Sequence, residues 1–401
     1  MSTSLHDQAI GFLHKGEYQK VINVVTKNIY KQTAATPESI LYGNFILSDA
    51  LFAMAKHDEA QEIIEKSIVH PAVQSNWGMK NKLFRKLQYY VTRLHPKIVE
   101  IRPWMPLPNF NFMNASLYLK QDNMSLVSFI RATNYTKKDR KEVRNDVWNR
   151  IVSRNFVYIY DYYFRILFHK EIEDYSIWPR NSQSPVLGYE DPRVIYHNNT
   201  YYFTATSLEC NRMIRPCIVL CKLDSSWNIT TTVQLQCQHM NDMQKNWLPF
   251  VDPSTNKLLV IYRMSPFIIN EINMETGGYT ERVNIEMPHI HFPTVRGSTS
   301  PIQFENGWLF VVHFVNYDDP SEDIYYSKFV WMSKDFIPKK ISATFSLEHK
   351  GIEYISGLAI WKDMLYVAYN THDTQSKLSR LSVDAMKTRL KWYDIMTGKQ
   401  I

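Results

Sequence analysis

The chain has 401 residues, of which 45% are hydrophobic and 14% aromatic, enough apolar side chain for more than one compact core. Twelve glycines exclude a collagen-like or glycine-rich chain, and the longest apolar tract, Leu309 to Val315, is broken by His313, far short of the roughly 18 residues a membrane span needs. The net charge of +7 is unevenly placed: residues 1–180 hold 25 Lys/Arg against 17 Asp/Glu, and the remainder 21 against 22, with no stripe of cations and stacking aromatics of the kind that binds nucleic acid.

The first residues, Met1-Ser2-Thr3-Ser4-Leu5-His6-Asp7, lack a basic stretch followed by an apolar one, so the expectation is a cytoplasmic protein. In that setting the Asn-x-Ser/Thr triplets at Asn114, Asn123, Asn134, Asn198 and Asn228 read as chance. Cys210, Cys217, Cys221 and Cys237 contain no paired C-x-x-C and read as buried thiols; neither a metal nor a cofactor is expected.

From residue 4 to about 95 apolar residues recur at helical spacing, as in Ala9, Phe12 and Leu13, then Val21, Val24, Val25 and Ile29, then Ala60, Ile63, Ile64 and Ile68. Leu13 to Val21 echoes Met54 to Ala60 at a period of about 41, close to a tetratricopeptide-like helix pair. Residues 1–100 are therefore expected to form an α-helical repeat-like cap. Such an array either offers a groove to a protein partner or packs on the adjoining C-terminal domain. Pro96, Pro103, Pro106 and Pro108 end the pattern and predict a boundary between residues 96 and 110.

Residues 110–401 change to strands: Ser125 to Arg131, Tyr201 to Thr206, Cys217 to Cys221, Leu258 to Tyr262, Trp308 to His313 and Met364 to Tyr369, separated by polar turns. The charged stretch Lys137-Lys138-Asp139-Arg140-Lys141 reads as a solvated loop within an insertion spanning Thr136–Arg150. A module recurs, opening at Phe112-Met-Asn-Ala-Ser116, Gly188-Tyr-Glu-Asp-Pro-Arg193, Lys245-Asn-Trp-Leu-Pro-Phe250, Arg296-Gly-Ser-Thr-Ser-Pro301 and Glu353-Tyr-Ile-Ser-Gly357. The steps from Asn114 are 77, 54, 51 and 57 residues, which suits the four-stranded blades of a five-bladed β-propeller. The overall expectation is an α+β multidomain chain, a helical cap followed by an all-β propeller. Motifs that open the innermost strands converge on the axis, so the five openings define either one central pocket or a set of inter-blade turns.

Gly188-x-Glu190-Asp191-Pro192-Arg193-Val194, followed by a Tyr-Tyr-Phe-Thr-Ala-Thr strand, resembles the signature of the five-bladed propellers of glycoside hydrolase family 130, the β-mannoside phosphorylases, and of the related β-1,2-mannosyltransferase/phosphorylase enzymes. Asn114-Ala-Ser116, Arg131-x-x-Asn134-Tyr135, Lys245-Asn246, Gly307-Trp-Leu-x-x-Val-His313 and Tyr369-x-x-x-Asp373 support it in the first, third, fourth and last blades, so the resemblance spans residues 110–380. It implies that Asp191 is a general acid, that Asn114, Arg131 and Asp373 hold the reacting sugar, and that Lys245 and His313 lie near phosphate. It also implies an inverting reaction in which phosphate attacks the anomeric carbon.

The residue chemistry runs alongside. Glu190 and Arg193 flank Asp191 with opposing charge, a way to hold a proton on a carboxylate near neutrality. Arg131, Lys245, Arg263 and Arg296 form a cationic set for a phosphate or a sugar-nucleotide diphosphate. Glu353 and Tyr354 open the last blade and are candidate substrate contacts, and Trp247, Trp308, Tyr354 and Tyr369 are either sugar platforms or core. The fourth opening departs from the Gly-Pro-Pro type of the phosphorylases, and the helical cap suits a larger acceptor; both favour a glycosyltransferase-like member.

Three functions are compatible with these residues. The first is a hexosyl, specifically mannosyl, transferase or glycoside phosphorylase, acting on a sugar phosphate or sugar nucleotide and a glycan acceptor. The second is a non-enzymatic glycan- or protein-binding scaffold. The third is an inverting hydrolase, in which Glu353 is the one motif-borne carboxylate placed to activate water.

Overall fold

The computed structural model describes residues 5–30, 36–94, 96–100, 107–122, 124–138, 141–144, 150–238, 244–287, 295–317, 323–348 and 351–401. Residues 1–4, Pro103, Pro106, Asn123, and Asp139 and Arg140 of the charged stretch lie outside the described residues.

Six helices come first: α1 (Leu5–His14), α2 (Tyr18–Asn23) continuing into a π-helical turn at Val24–Ile29, α3 (Pro37–Ala53), α4 (His57–Ile68), α5 (Pro71–Gln74) and α6 (Trp77–Tyr90). Three of their starts rest on capping side chains, with Thr36 accepting from the Ser39 N–H at 3.2 Å, His70 Nδ1 from the Ala72 N–H at 3.3 Å and Asn76 from the Met79 N–H at 3.0 Å. The echo seen in the sequence is one turn used twice. At the end of α1 the Glu17 N–H donates to Phe12 O with Gly16 at φ 72°, and at the end of α3 the Lys56 N–H donates to Leu51 O with Ala55 at φ 59°. Both are left-handed helix caps of the Schellman kind.

The helices bury their apolar faces on one another and on the strands. Phe84 packs against Phe314 and Tyr326, whose hydroxyl donates to Phe84 O at 3.0 Å, so α6 is seated on the fourth sheet. Of the two alternatives for the array, packing on the C-terminal strands is the one observed on this face. Among the described residues no helix is long and apolar enough to cross a membrane.

Five sheets come next in chain order. The first holds Asn111–Lys120, Ser125–Thr133, Ile151–Tyr160 and Ile166–Glu171; the second Glu190–His197, Thr200–Ser207, Cys217–Leu223 and Ile229–Gln234; the third Leu248–Asp252, Lys257–Met264, Phe267–Ile272 and Tyr279–Ile285. The fourth is built on Gly307–Asn316 and Ile324–Ser333, and the fifth on Glu353–Trp361, Met364–Thr371 and Gln375–Ser382. In each blade the strands pair antiparallel with the next in sequence. Neighbouring blades touch in sequence through their inner strands, and the fifth returns to the first, giving a propeller-like ring.

Blades stack face to face, which explains why second strands read as continuous apolar runs: all nine residues of Ser125–Thr133 are buried, whereas the outer strand Tyr279–Ile285 has no buried residue. One apolar cluster fills each gap between neighbouring blades, as with Phe129 and Phe203 between the first and second, or Phe250 and Trp308 between the third and fourth. The seam between fifth and first is tight. A Cβ on Gly357 would lie 2.7 Å from Ala115 O, and the Ser356 hydroxyl donates to that same oxygen at 2.8 Å. The buried thiols Cys210, Cys217 and Cys221 belong to the second blade.

Two short segments before residue 110 are strands, not helix. Thr92–Arg93 runs parallel to Phe345–Ser346, and Lys97–Glu100 forms the outer strand of the fifth blade against Lys377–Arg380. The change from helix to strand therefore precedes most of the prolines.

Candidate active site

Four of the five recurring openings are bulged, and the third is an irregular segment leading into Leu248–Asp252. Register shifts fall between Met113 and Ser116, between Glu190 and Arg193, and between Ile355 and Gly357; in the fourth blade the N–H groups of Ser298 and Thr299 both donate to Val311 O. A bulge adds one residue, breaks the alternation and turns a side chain off the sheet face. Asn114 (φ 53°), Asp191 (φ 55°) and Asn246 (φ 61°) take the left-handed backbone that asparagine and aspartate tolerate best. Asp191 does so directly before Pro192, where the backbone is further restricted, a strain of order 1–3 kcal/mol.

The side chains these bulges present meet. Asp191 Oδ1 accepts from Asn114 Nδ2 at 2.7 Å and from Arg131 Nη1 at 3.2 Å. Arg131 also donates from Nε to Ser153 Oγ at 2.8 Å, and its Nη2 lies 3.6 Å from Glu190 Oε1. Glu190 Oε2 is 3.2 Å from Lys245 Nζ. Arg193 donates to Tyr354 Oη at 3.0 Å, to Asn246 Oδ1 at 3.4 Å and to the Ser298 carbonyl. Asn114, Arg131, Glu190, Asp191 and Lys245 thus form one bonded network from blades one, two and three, and Arg193, Asn246, Tyr354 and the Ser298 carbonyl form a second beside it, coupled to the first by the charge of Arg193 on Asp191. The side chains of Asp191 and Lys245 are 26% and 37% exposed while Arg131 is 4% exposed, so the carboxylate and the ammonium face the opening and the guanidinium supports them.

Burial pushes the Asp191 carboxyl up, but Arg131, the Asn114 amide, Lys245 and Arg193 together hold it below the usual carboxylate range. This corrects the expectation that its neighbours keep a proton on it near neutrality: three cations outweigh Glu190. Burial pushes the Tyr354 hydroxyl up, so it stays protonated.

His313 joins through Ser298, whose hydroxyl is 2.8 Å from Nδ1, and its ring meets Tyr354 edge-on at 5.0 Å. Burial, then the charges of Arg296 and Arg193, depress His313 to about 3, so the imidazole is neutral. Between pH 6.5 and about 3 the unfolded chain binds a proton that the folded chain refuses, so stability falls as pH falls through that window. His313→Gln is expected to remove about 1.4 kcal/mol per pH unit from that slope. Urea titrations at several acidic pH values would show it, and superimposable acid limbs would refute it.

The remaining expected residues are spread around this network. Arg296 is exposed, beside His313 in register and 3.5 Å from Tyr317 Oη. Arg263 stands at the same end of the third blade with its guanidinium 5.8 Å from the Tyr262 ring centre. Asp373 (φ 53°) is buried and accepts from Asn370 Nδ2 at 3.2 Å, and its charge acts on the Tyr135 and Tyr354 hydroxyls, which places it near the network.

Glu353 is a correction. Its two oxygens accept from the Leu347 N–H at 2.6 Å and the Glu348 N–H at 2.9 Å, so this buried carboxylate closes a loop and is not presented to substrate or water. Trp308 and Tyr369 are core; Trp247 is buried edge-on to Tyr262, lining a small recess of ≈ 10 Å³ beside Asp191. Sequence reasoning assigned no role to Asn246 or Ser298, although both lie in the openings, and did not single out Tyr325. The left-handed Asn246 was findable from its place in the third opening, whereas Tyr325, stacked on His313 at 5.8 Å, carries no local signal.

No family model matches the sequence, and no curated protein does. Solved structures match in fold. The β-1,2-mannobiose phosphorylase of Listeria innocua is 14% identical with a TM-score of 0.50, over 73% of this chain and 96% of that one. A GDP-Man-dependent mannosyltransferase of Leishmania mexicana (11%, TM-score 0.49, 78% and 94%) and a mannose phosphorylase of the same organism (10%, 0.47, 82% and 97%) lie at similar distance. The chain shares the propeller fold of the first; these neighbours are mannoside phosphorylases and mannosyltransferases.

Proposed function

We propose that this chain transfers a mannosyl unit with inversion, working in the synthetic direction from a phosphate-bearing donor to a glycan acceptor. The observation that carries the proposal is Asp191: strained, a quarter exposed, held by Asn114 and Arg131, and ionised. An ionised carboxylate is a base. It takes the proton of the acceptor hydroxyl as that oxygen attacks the anomeric carbon, while the bond from that carbon to the donor phosphate breaks and the phosphate leaves with its electron pair towards Lys245. The leaving anion needs no proton, so one carboxylate suffices. In the reverse, phosphorolytic direction the arriving anion offsets Lys245 and Arg193, which raises Asp191 towards its proton-bearing form.

An inverting hydrolase would need a second carboxylate to activate water, and Glu353 is committed to backbone amides. The test is incubation with mannose 1-phosphate or GDP-mannose together with mannose and short mannosides. The expected result is a lengthened β-linked product with release of phosphate or GDP. Glycan binding without transfer from either donor would replace this reading with that of a binding scaffold.

A further inference from the structure

A second cavity of ≈ 800 Å³, the size of a nucleotide-class ligand site, opens on the outer part of the second blade. Its walls come from residues 178–181 and from the segment 209–215 that joins Thr200–Ser207 to Cys217–Leu223. That connection lies at the Asp191 end of the blade, because Thr206 pairs with Glu190.

The floor is a built structure. Glu209 is buried, accepts from the Gly188 N–H at 2.8 Å and pairs with Arg180, which is also paired with Asp174; the Asn181 N–H donates to Glu209 O at 2.7 Å. Gly188 (φ 82°) has no room for a side chain, since a Cβ would lie 2.2 Å from Ser153 O. The floor is thereby tied to the turn that delivers Asp191.

The walls carry different chemistry. The Trp178 indole N–H is directed at Cys210 O, 3.4 Å away, which fixes the ring at the cavity wall, and Met213 is 65% exposed. Arg212 and Arg215 are exposed on the same wall, and Glu209, already paired, is the one acidic residue of the lining. A flat ring and a thioether suit an aromatic base, and two guanidinium groups suit phosphate oxygens in pairs.

We infer that this cavity binds the nucleoside end of an activated sugar, with the base against Trp178 and Met213 and the nucleoside-side phosphate on Arg212 and Arg215, the sugar-bearing phosphate being left to Lys245. The inference rests on the proposed transfer reaction and goes beyond it by selecting a nucleotide donor over a simple sugar phosphate.

The test is calorimetric titration of the full chain with ADP, GDP and UDP, with inorganic phosphate as control. At least one diphosphate is expected to bind, with affinity falling as salt rises. The double substitution Arg212→Gln, Arg215→Gln, on exposed positions that leave the fold intact, is expected to weaken it at least about tenfold, and Trp178→Leu to act in the same direction. Unchanged affinity in the arginine variant, or no diphosphate binding while mannose 1-phosphate serves as donor, overturns the cavity assignment and leaves the transfer reading standing. Arginine-dependent binding with no transfer from any donor overturns the transfer reading and supports the cavity assignment.

Discussion

Asp191→Asn is expected to lower mannosyl transfer by about 10²–10⁴-fold, the usual worth of a positioned acid or base, with little change in folding. The substitution is close to isosteric. The new amide oxygen still accepts from Asn114, and Arg131 keeps Ser153 and Glu190, so the bulge and its neighbours stay in place. Asparagine also tolerates φ 55°, whereas alanine would add a left-handed penalty of roughly 1–2 kcal/mol and confuse a folding defect with a catalytic one. What is lost is the proton acceptor. Because Arg131, Lys245 and Arg193 hold the wild-type carboxyl below its ordinary range, transfer should be level across neutrality and fall only on acidification below the usual aspartate range. Initial rates and thermal unfolding measured in parallel decide the matter; wild-type turnover by the asparagine variant would remove Asp191 from the mechanism.

The largest stability effect is expected far from the pocket, where α4 meets the fourth blade. Lys328 and Glu65, with side chains 2% and 7% exposed, pair at 2.5 Å; Glu65 also accepts from Gln61 at 2.7 Å and from the Thr344 N–H at 2.9 Å. Burial raises the Glu65 carboxyl, and Lys328 with these donors brings it below its ordinary value. Removing one partner leaves an uncompensated buried charge, so Lys328→Met alone is expected to cost about 3–5 kcal/mol in urea unfolding. The pair Glu65→Leu, Lys328→Met should recover most of the loss, since no charge remains to be desolvated. A single variant as stable as the wild type would contradict the buried geometry. The pair's contribution is present above the unfolded-state pKa of Glu65 and is lost as pH falls through the lowered folded value.

Features were legible in the sequence to the extent that they constrain the backbone. The opening motifs stood out because a left-handed backbone admits few residue types, so Asn114 and Asp191 in their bulges and Asn246 before its strand share that chemistry. Helices were legible in the first hundred residues, but the tetratricopeptide-like repeat is not confirmed: Ala55, not His57, stands where Gly16 does. Glu353 misled because a carboxylate at a blade opening looks the same whether it faces the axis or two amides of its own loop. Tyr325 was invisible, and Ser298, though inside the fourth opening, carried no assignable role, because both act through convergence of separate strands on His313. Thr92–Arg93 and Lys97–Glu100 have too few residues to show alternation, and their strand state comes entirely from partners at the far end of the chain.

Those two strands have a counterpart at the other terminus. Val383–Arg389 forms α7, and beyond it Trp392–Asp394 returns to pair with Lys340–Ser342 on the fourth sheet. During synthesis the segment around residue 97 emerges well before residues 377–380 and waits for them, so the fifth blade cannot acquire its rim until those residues exist. A ribosome that stalls, or a frameshift that stops before residue 375, would release an open ring with a bare strand edge, the kind of nascent species that chaperones must hold.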